Sequence, residues 1–471
     1  MKRKIYYIQP TYRDCNGKLF KGKSLHVHSL ALPALSAATP KNWDKEASLE
    51  FFEDLNYDTD ASVIAITSMG YDIIHGMEIA KKFRSMGKIV IFGGYQAHFS
   101  EKYLRDSCDS VVHGNPGPKA LSKILSEAEN NCLNQDYSCE IDVNFPFDYS
   151  ILARHKISFM PVLSSVGCIN DCDFCCTAAI YKSKYRLRNI DCVMKDLIEV
   201  NRLSGKAGFV DNTIYNNREY LLLLLKSMLN FKISLKWGAQ ATINIGDDIE
   251  VLHYLYKSGC RILFIGMESV NQKNLEGVNK NYLVEDYTKR IENIHKAGIK
   301  IAGYFMYGLY NDSEETVSDI CNFINSTKIE VPLLNFLTPA PGTRVYERLK
   351  QEKRLLFDDD RELLSNKHFY NSATNTCFFK PKYMTYEEAE KNFLELYRKL
   401  AGYIQILKRS IKLNPFIAIF LLGMNIVFRS EYLGMKKKMS HLPSFGSKRI
   451  KTGNINLPDI KPADVLLESR N

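Results

Sequence analysis

Short β-rich runs alternate with amphipathic stretches along the first 130 residues. Residues 4–9, 61–67 and 88–92 are runs of apolar and β-branched positions, and 110–112 is a shorter one. The segments between them carry apolar residues at helical spacing. The pattern predicts an α/β unit over 1–130, a doubly wound parallel sheet covered by helices. Ligands of such sheets bind at the carboxyl ends of the strands, so Thr67, Ser68, Gly93, Gly94 and Gly114 are expected to line one crevice. Residues 131–155 turn polar and lose periodicity, which reads as a linker. A second series then begins, with strand candidates at 160–164, 207–210, 235–240, 261–265, 300–306 and 331–337. Six β/α units over 156–345 describe a partial barrel with its site at the strand carboxyl ends. Residues 346–435 read as mostly helical, and 436–471 as a basic, loosely ordered tail.

Composition narrows the class. With 45% hydrophobic and 25% charged residues the chain reads as globular. The net charge of +10 is spread along the chain rather than massed, so no nucleic-acid partner is expected. The opening MKRKIYYIQP has no apolar core of a secretory signal, so the 12 cysteines read as reduced thiols and the protein as cytoplasmic. No run reaches the length of a transmembrane span. The nearest, 415–428, is interrupted by Asn425 and flanked by Lys408, Arg409, Lys412 and Arg429. It reads as a buried helix or as a segment in peripheral contact with a membrane.

The chemistry concentrates in SSVGCINDCDFCC. Cys168, Cys172 and Cys175, spaced CxxxCxxC, can hold three irons of a 4Fe-4S cluster and leave the fourth open. The loop follows the first strand of the second series, where a barrel carries its site. A zinc site would need a fourth ligand, and Cys176, adjacent to Cys175, is poorly placed to point at the same ion. Cys176, Cys192, Cys260, Cys321 and Cys377 read as small buried hydrophobes.

The cysteine loop does not stand alone. GCINDCDFC at 167–175, KYRLRN at 184–189, FVDNTIYNN at 209–217, SGCRILFIGMESVN at 258–271, AGYFMYGLYNDSEET at 302–316 and LTPAPGTRVYERLK at 337–350 are similar to segments of one known family. Over residues 1–400 the chain resembles the cobalamin-binding-domain radical S-adenosylmethionine (SAM) proteins, a group that includes methylases of unactivated carbon. The resemblance implies a 4Fe-4S cluster, SAM and cobalamin as cofactors. It places Phe174 against the adenine of SAM, Glu268 on the ribose hydroxyls, and Arg186 or Arg188 on the SAM carboxylate. It also places Gly303 in the segment passing the adenine and Thr338 in the turn after the last strand. Asp211 would contact SAM or substrate, or cap the next helix. Thr67, Ser68, Gly93, Gly94 and Gly114 would hold cobalamin. Here the chain departs from the family: no Asp-x-His-x-x-Gly string occurs, His26 and His28 have a different spacing, and Gly114-Asn115-Pro116-Gly117 stands where Gly-Glu is common.

The implied activity is reductive cleavage of SAM to a 5'-deoxyadenosyl radical and cobalamin-dependent methylation of a small, lipid-like or natural-product substrate. A one-electron reductant such as flavodoxin or ferredoxin would serve it. Oxidative cyclisation, rearrangement or carbon-carbon bond formation by the same parts stays open. An RNA methylthiotransferase would need N-terminal cluster cysteines and an RNA-binding C-terminal domain, neither of which is evident. A non-catalytic iron-sulfur or cobalamin sensor would yield no 5'-deoxyadenosine.

Overall fold

The computed structural model describes residues 2–13, 17–25, 27–113, 119–138, 143–364, 376–410 and 415–441. Gly114 and His26 lie outside the described residues. The N-terminal sheet contains β1 (Lys4–Gln9), β2 (Asp44–Leu49), β3 (Val63–Thr67), β4 (Ile89–Gly93), β5 (Ser110–Val112) and β6 (Asp136–Tyr137). Its strands are all parallel, in the order β2-β1-β3-β4-β5-β6. The chain reverses direction of winding between β1 and β3, which opens a crevice at their carboxyl ends. β3 is buried along its whole length, as a strand with helices on both faces must be. β2, with the sequence DKEASL, escapes hydrophobic patterning because it is an edge strand whose first residues face water.

The second sheet is built from β7 (Met160–Val162), β10 (Lys206–Phe209), β11 (Lys236–Ala241), β12 (Cys260–Glu268), β13 (Lys300–Tyr307) and β14 (Val331–Phe336). These six strands are parallel and in chain order, a partial barrel. Between β7 and β10 a small antiparallel hairpin, β8 (Ser165–Gly167) with β9 (Tyr185–Leu187), brackets the cysteine loop. Pleating sorts the barrel strands into two faces. Leu263, Ile265, Ile301, Phe305, Leu334 and Phe336 belong to the main core under the helices. Phe264, Gly266, Ala302, Tyr304 and Leu333 alternate with them and line the inner face.

Helices begin where side chains satisfy their free N–H groups: Asn189 caps Ile190–Leu203, Asn217 caps Arg218–Asn230, and Thr385 with Glu388 forms a capping box for Tyr386–Leu400. Two further helices, Tyr403–Ser410 and Pro415–His441, close the described chain. Leu421 and Met424 of the last one pack on Ile262, Ala302 and Val331, so it covers the base of the inner barrel face. No helix among the described residues is long and apolar enough to cross a membrane.

The stretch 143–155 is packed rather than free. Its carbonyls at Val143 and Phe145 accept hydrogen bonds from Arg188, and its helix Ser150–Ala153 buries Leu152 completely.

Candidate active site at the three-cysteine loop

Gly167 opens the loop with φ of +85°, and a side chain there would run into the Lys184 carbonyl at 2.2 Å across the hairpin. Only glycine lets β8 and β9 close so tightly beside Cys168. Asn216 donates to the Gly167 carbonyl and accepts from the Ile169 N–H, while Asn212 accepts from the Gly167 N–H. Farther along, Asp173 donates its N–H to Val278 O, and Asn279 donates to Asp171 O. Arg344 clasps Asp171 and Asp173 together. The loop is therefore held from three sides before any cofactor enters.

The thiols have the chemistry of cluster ligands. The backbone N–H and side-chain amide of Asn170 both point at Cys168 Sγ, at 3.4 and 3.3 Å, as donors to a thiolate would. Burial pushes the Cys172 thiol up to about 12, opposed by the Lys280 ammonium nearby.

Glu268 and Lys280 form the polar end of the site. β12 and β13 slip register between Gly266 and Glu268, and Glu268 takes a positive φ of 62°. Its carboxylate meets Lys280 Nζ at 2.7 Å, with both side chains buried. The pair occupies the space above Gly266, where a Cβ would sit 2.3 Å from the carboxylate. Burial works against charge on Lys280, but Glu268 and Cys172 outweigh it and keep the ammonium charged. Lys280 escaped sequence reading because a single lysine in GVNKNY looks like a solvated loop residue.

Several expected residues play other parts. Arg188 does not face a cofactor: its side chain is fully buried, donating to Val143 O, Leu163 O and Phe145 O and pairing with Asp196 at 2.5 Å. Its fork is consumed in joining the 143–147 stretch to the barrel, which removes it as a SAM ligand. Asp211 is likewise sealed, accepting from the Ser164 N–H and from the Ser164 and Ser165 hydroxyls. It fixes the end of β7 to that of β10, and caps no helix, since Asn217 does so. At Gly303 a Cβ would meet Phe305 and Ile329 on the core side, so its neighbour Tyr304 is the residue turned toward Glu268. Phe174 is half-buried against the main core, Arg186 is exposed on β9, and Thr338 bonds back to Phe336 O.

The N-terminal turns converge as expected. Ser68 N–H donates to Gly93 O and Gln96 N–H to Ser68 O. Gly94, at φ of +100°, would place a Cβ 2.3 Å from Ser68 O and 2.8 Å from Thr67 Oγ1. This edge then abuts the cysteine loop. Tyr95, next to Gly94, donates to Thr177 Oγ1 at 3.1 Å, and Thr177 lies two residues beyond Cys175. Tyr71, after β3, is half-buried within electrostatic reach of Cys176. The N-terminal sheet's carboxyl edge therefore reaches the helix Cys176–Tyr181, which follows the three-cysteine loop directly.

This architecture has known counterparts. Residues 162–324 match the Radical SAM superfamily, so the chain carries a radical SAM domain and is an enzyme of that type, working with a 4Fe-4S cluster and SAM. The chain is 29% identical over 361 residues to bacteriochlorophyllide d C-12(1)-methyltransferase of Chlorobaculum tepidum, covering 74% of this chain and 76% of that one. It is 28% identical over 357 residues to the C-8(2)-methyltransferase of the same organism, covering 70% and 78%. Its fold is similar to that of the radical SAM methyltransferase TsrM from Kitasatospora setae, solved with cobalamin and a 4Fe-4S cluster: TM-score 0.67 at 13% identity, over 93% of this chain and 99% of that one.

Proposed function

We propose that this chain is a cobalamin-dependent methylase that acts on an unactivated carbon of a small, largely apolar substrate, in the cytoplasm and with a flavodoxin- or ferredoxin-type reductant. The observation that carries the reading is the meeting of the two sheets' edges: the Thr67-Ser68 and Gly93-Gly94 turns bond to each other, and Tyr95, next to Gly94, bonds to Thr177 on the helix that follows Cys175. A flat corrinoid over the first edge would lie beside a cluster on the second. The methyltransferase relatives, whose names give bacteriochlorophyllide d as substrate, favour a tetrapyrrole-like molecule.

When bound, the reduced cluster supplies the electron that cleaves SAM to methionine and a 5'-deoxyadenosyl radical, and cobalamin supplies the methyl carrier. The residues of the chain bind and orient. Cys168, Cys172 and Cys175 hold three irons. Lys280, a buried cation beside Cys172, would pair with the SAM carboxylate, and Glu268 would accept from the ribose hydroxyls. Phe174 would face the adenine of SAM, with Thr338 and the chain around Gly303 as further contacts. Arg186 remains available to the SAM carboxylate or to substrate. Gly94 lets the turn after β4 pack directly on Thr67 and Ser68, which fixes the shape of the edge that would hold cobalamin.

The test is anaerobic reconstitution with cobalamin, followed by turnover with SAM, a chemical reductant and a bacteriochlorophyllide probe. Methylated product, with S-adenosylhomocysteine formed beside 5'-deoxyadenosine, supports the proposal. 5'-Deoxyadenosine with a rearranged or cyclised product and no S-adenosylhomocysteine would replace methylation by the second radical outcome.

A further inference from the structure

The two C-terminal helices carry more apolar surface than their packing uses. Pro415–His441 turns Leu421, Asn425, Phe428 and Met435 inward, yet its opposite side exposes Ile419, Leu422, Ile426 and Leu433, a stripe at helical spacing. A helix apolar all round belongs in a core. This one has only half a core around it. Tyr403–Ser410, joined to it by Arg409 on Asn425 and by Arg429 over the Tyr403 ring at 3.7 Å, exposes Tyr403, Ile404 and Leu407. Ile419 and Ile404 are 71% and 68% exposed, so the patch is open rather than a shallow seam. Such a contiguous patch marks an interaction site.

The charge around the patch identifies the occupant. Among the described side chains of these two helices, Lys408, Arg409, Arg429 and Lys436 stand against a single acid, Glu431. Beside Tyr403–Ser410 lies a groove of about 760 Å³. Its acids Glu292 and Glu330 are paired with Lys296 and Lys300, leaving Lys328, Lys408 and Arg409 to set its sign. Nε and Nη1 of Arg409 are buried and make no hydrogen bond in the structure. An apolar stripe bordered by cations, on a helix too polar to cross a bilayer, is the pattern of a segment lying in the headgroup layer. A second copy is a poor occupant. A two-fold interface would set each cationic border against the like border of its partner.

We infer that the paired helices Tyr403–Ser410 and Pro415–His441 dock the enzyme on an anionic membrane surface, with Ile404, Leu407, Ile419, Leu422 and Ile426 in the acyl boundary and the adjoining groove receiving a lipid phosphate. Because Leu421 and Met424 of the same helix cover the base of the barrel, docking brings the inner barrel face close to the bilayer. The inference stands independently of whether the reaction is methylation.

The experiment is co-sedimentation of the full chain with vesicles of phosphatidylcholine alone and of phosphatidylcholine mixed with phosphatidylglycerol. Sedimentation with the mixed vesicles only, weakening as salt rises, is expected. Ile404→Asp with Leu407→Asp and Ile426→Asp should weaken it at least about tenfold with the circular dichroism unchanged. Should that variant misfold, Lys328→Glu with Lys408→Glu, on exposed side chains, should also lower the affinity. Failure to sediment with either vesicle, equal binding by the correctly folded variants, or a wild-type dimer that the apolar substitutions dissolve would overturn the inference.

Discussion

Arg188 supplies the sharpest test of how the site is built. The structure makes it a clasp, with three carbonyls and the Asp196 carboxylate gathered on one guanidinium and the Phe147 ring 4.8 Å away. Substituting Arg188→Met leaves those carbonyls without donors and Asp196 as a buried charge without its partner. Breaking a buried pair by removing one member costs about 3–5 kcal/mol. Each orphaned carbonyl adds about 1–3 kcal/mol, not additively. Even the lower figures sum to a large fraction of a domain's stability of about 5–15 kcal/mol. Arg188→Met should therefore lower the unfolding midpoint in urea sharply. Arg188→Met with Asp196→Leu should recover part of the loss, because the buried charge goes with its partner. SAM affinity of the folded fraction, measured on the reconstituted enzyme, should stay near wild type. A single variant with wild-type stability and lost SAM binding would refute the reasoning and return Arg188 to the cofactor.

Three other expectations follow from the geometry. Lys280→Met should weaken SAM binding about ten- to a hundredfold, the worth of one charge-assisted hydrogen bond, while cluster iron per chain is unchanged; equilibrium dialysis with labelled SAM measures it. Gly94→Ala, which would force a Cβ to 2.3 Å from Ser68 O in a conformation nearly restricted to glycine, should cost about 1–3 kcal/mol or more and abolish cobalt retention but not iron retention, as metal analysis would show. The third concerns His75, whose two ring nitrogens meet Glu50 at 3.0 Å and Glu78 at 2.9 Å. Burial disfavours its charge, yet the two glutamates outweigh burial and raise its pKa. Its stabilising contribution is thus fully present below the unfolded value of about 6.5 and is lost as pH rises through the raised folded value. Denaturant midpoints of wild type should fall over that window, and His75→Gln should flatten the slope.

Much of this was legible in the sequence, and the exceptions share a cause. All six barrel strands and four of the six N-terminal strands announced themselves because strands buried on both faces are unbroken apolar runs. β2 and β6 did not, the first being polar and at an edge, the second two residues long in a stretch read as linker. The three cysteines are read from their spacing together with their place after the first barrel strand, and the turns at Thr67-Ser68 and Gly93-Gly94 from their place at strand ends. The family resemblance implies Arg186 or Arg188 on the SAM carboxylate, and Asp211 at a strand end reads as a ligand or a helix cap. The burial of Arg188 and Asp211, and the carbonyls and hydroxyls that consume them, come from parts of the chain about 45 residues away. Lys280 is the converse case, an ordinary loop lysine in sequence that folding places beside Cys172.

The central claim is that the loop of Cys168, Cys172 and Cys175 holds a cluster that cleaves SAM. The most direct measurement is 5'-deoxyadenosine release from SAM by anaerobically reconstituted wild type and Cys172→Ala under a strong one-electron reductant. The account predicts release by wild type and background levels from the variant, together with loss of cluster absorbance. Equal release by both, or none from wild type carrying a full complement of cluster iron, would contradict it.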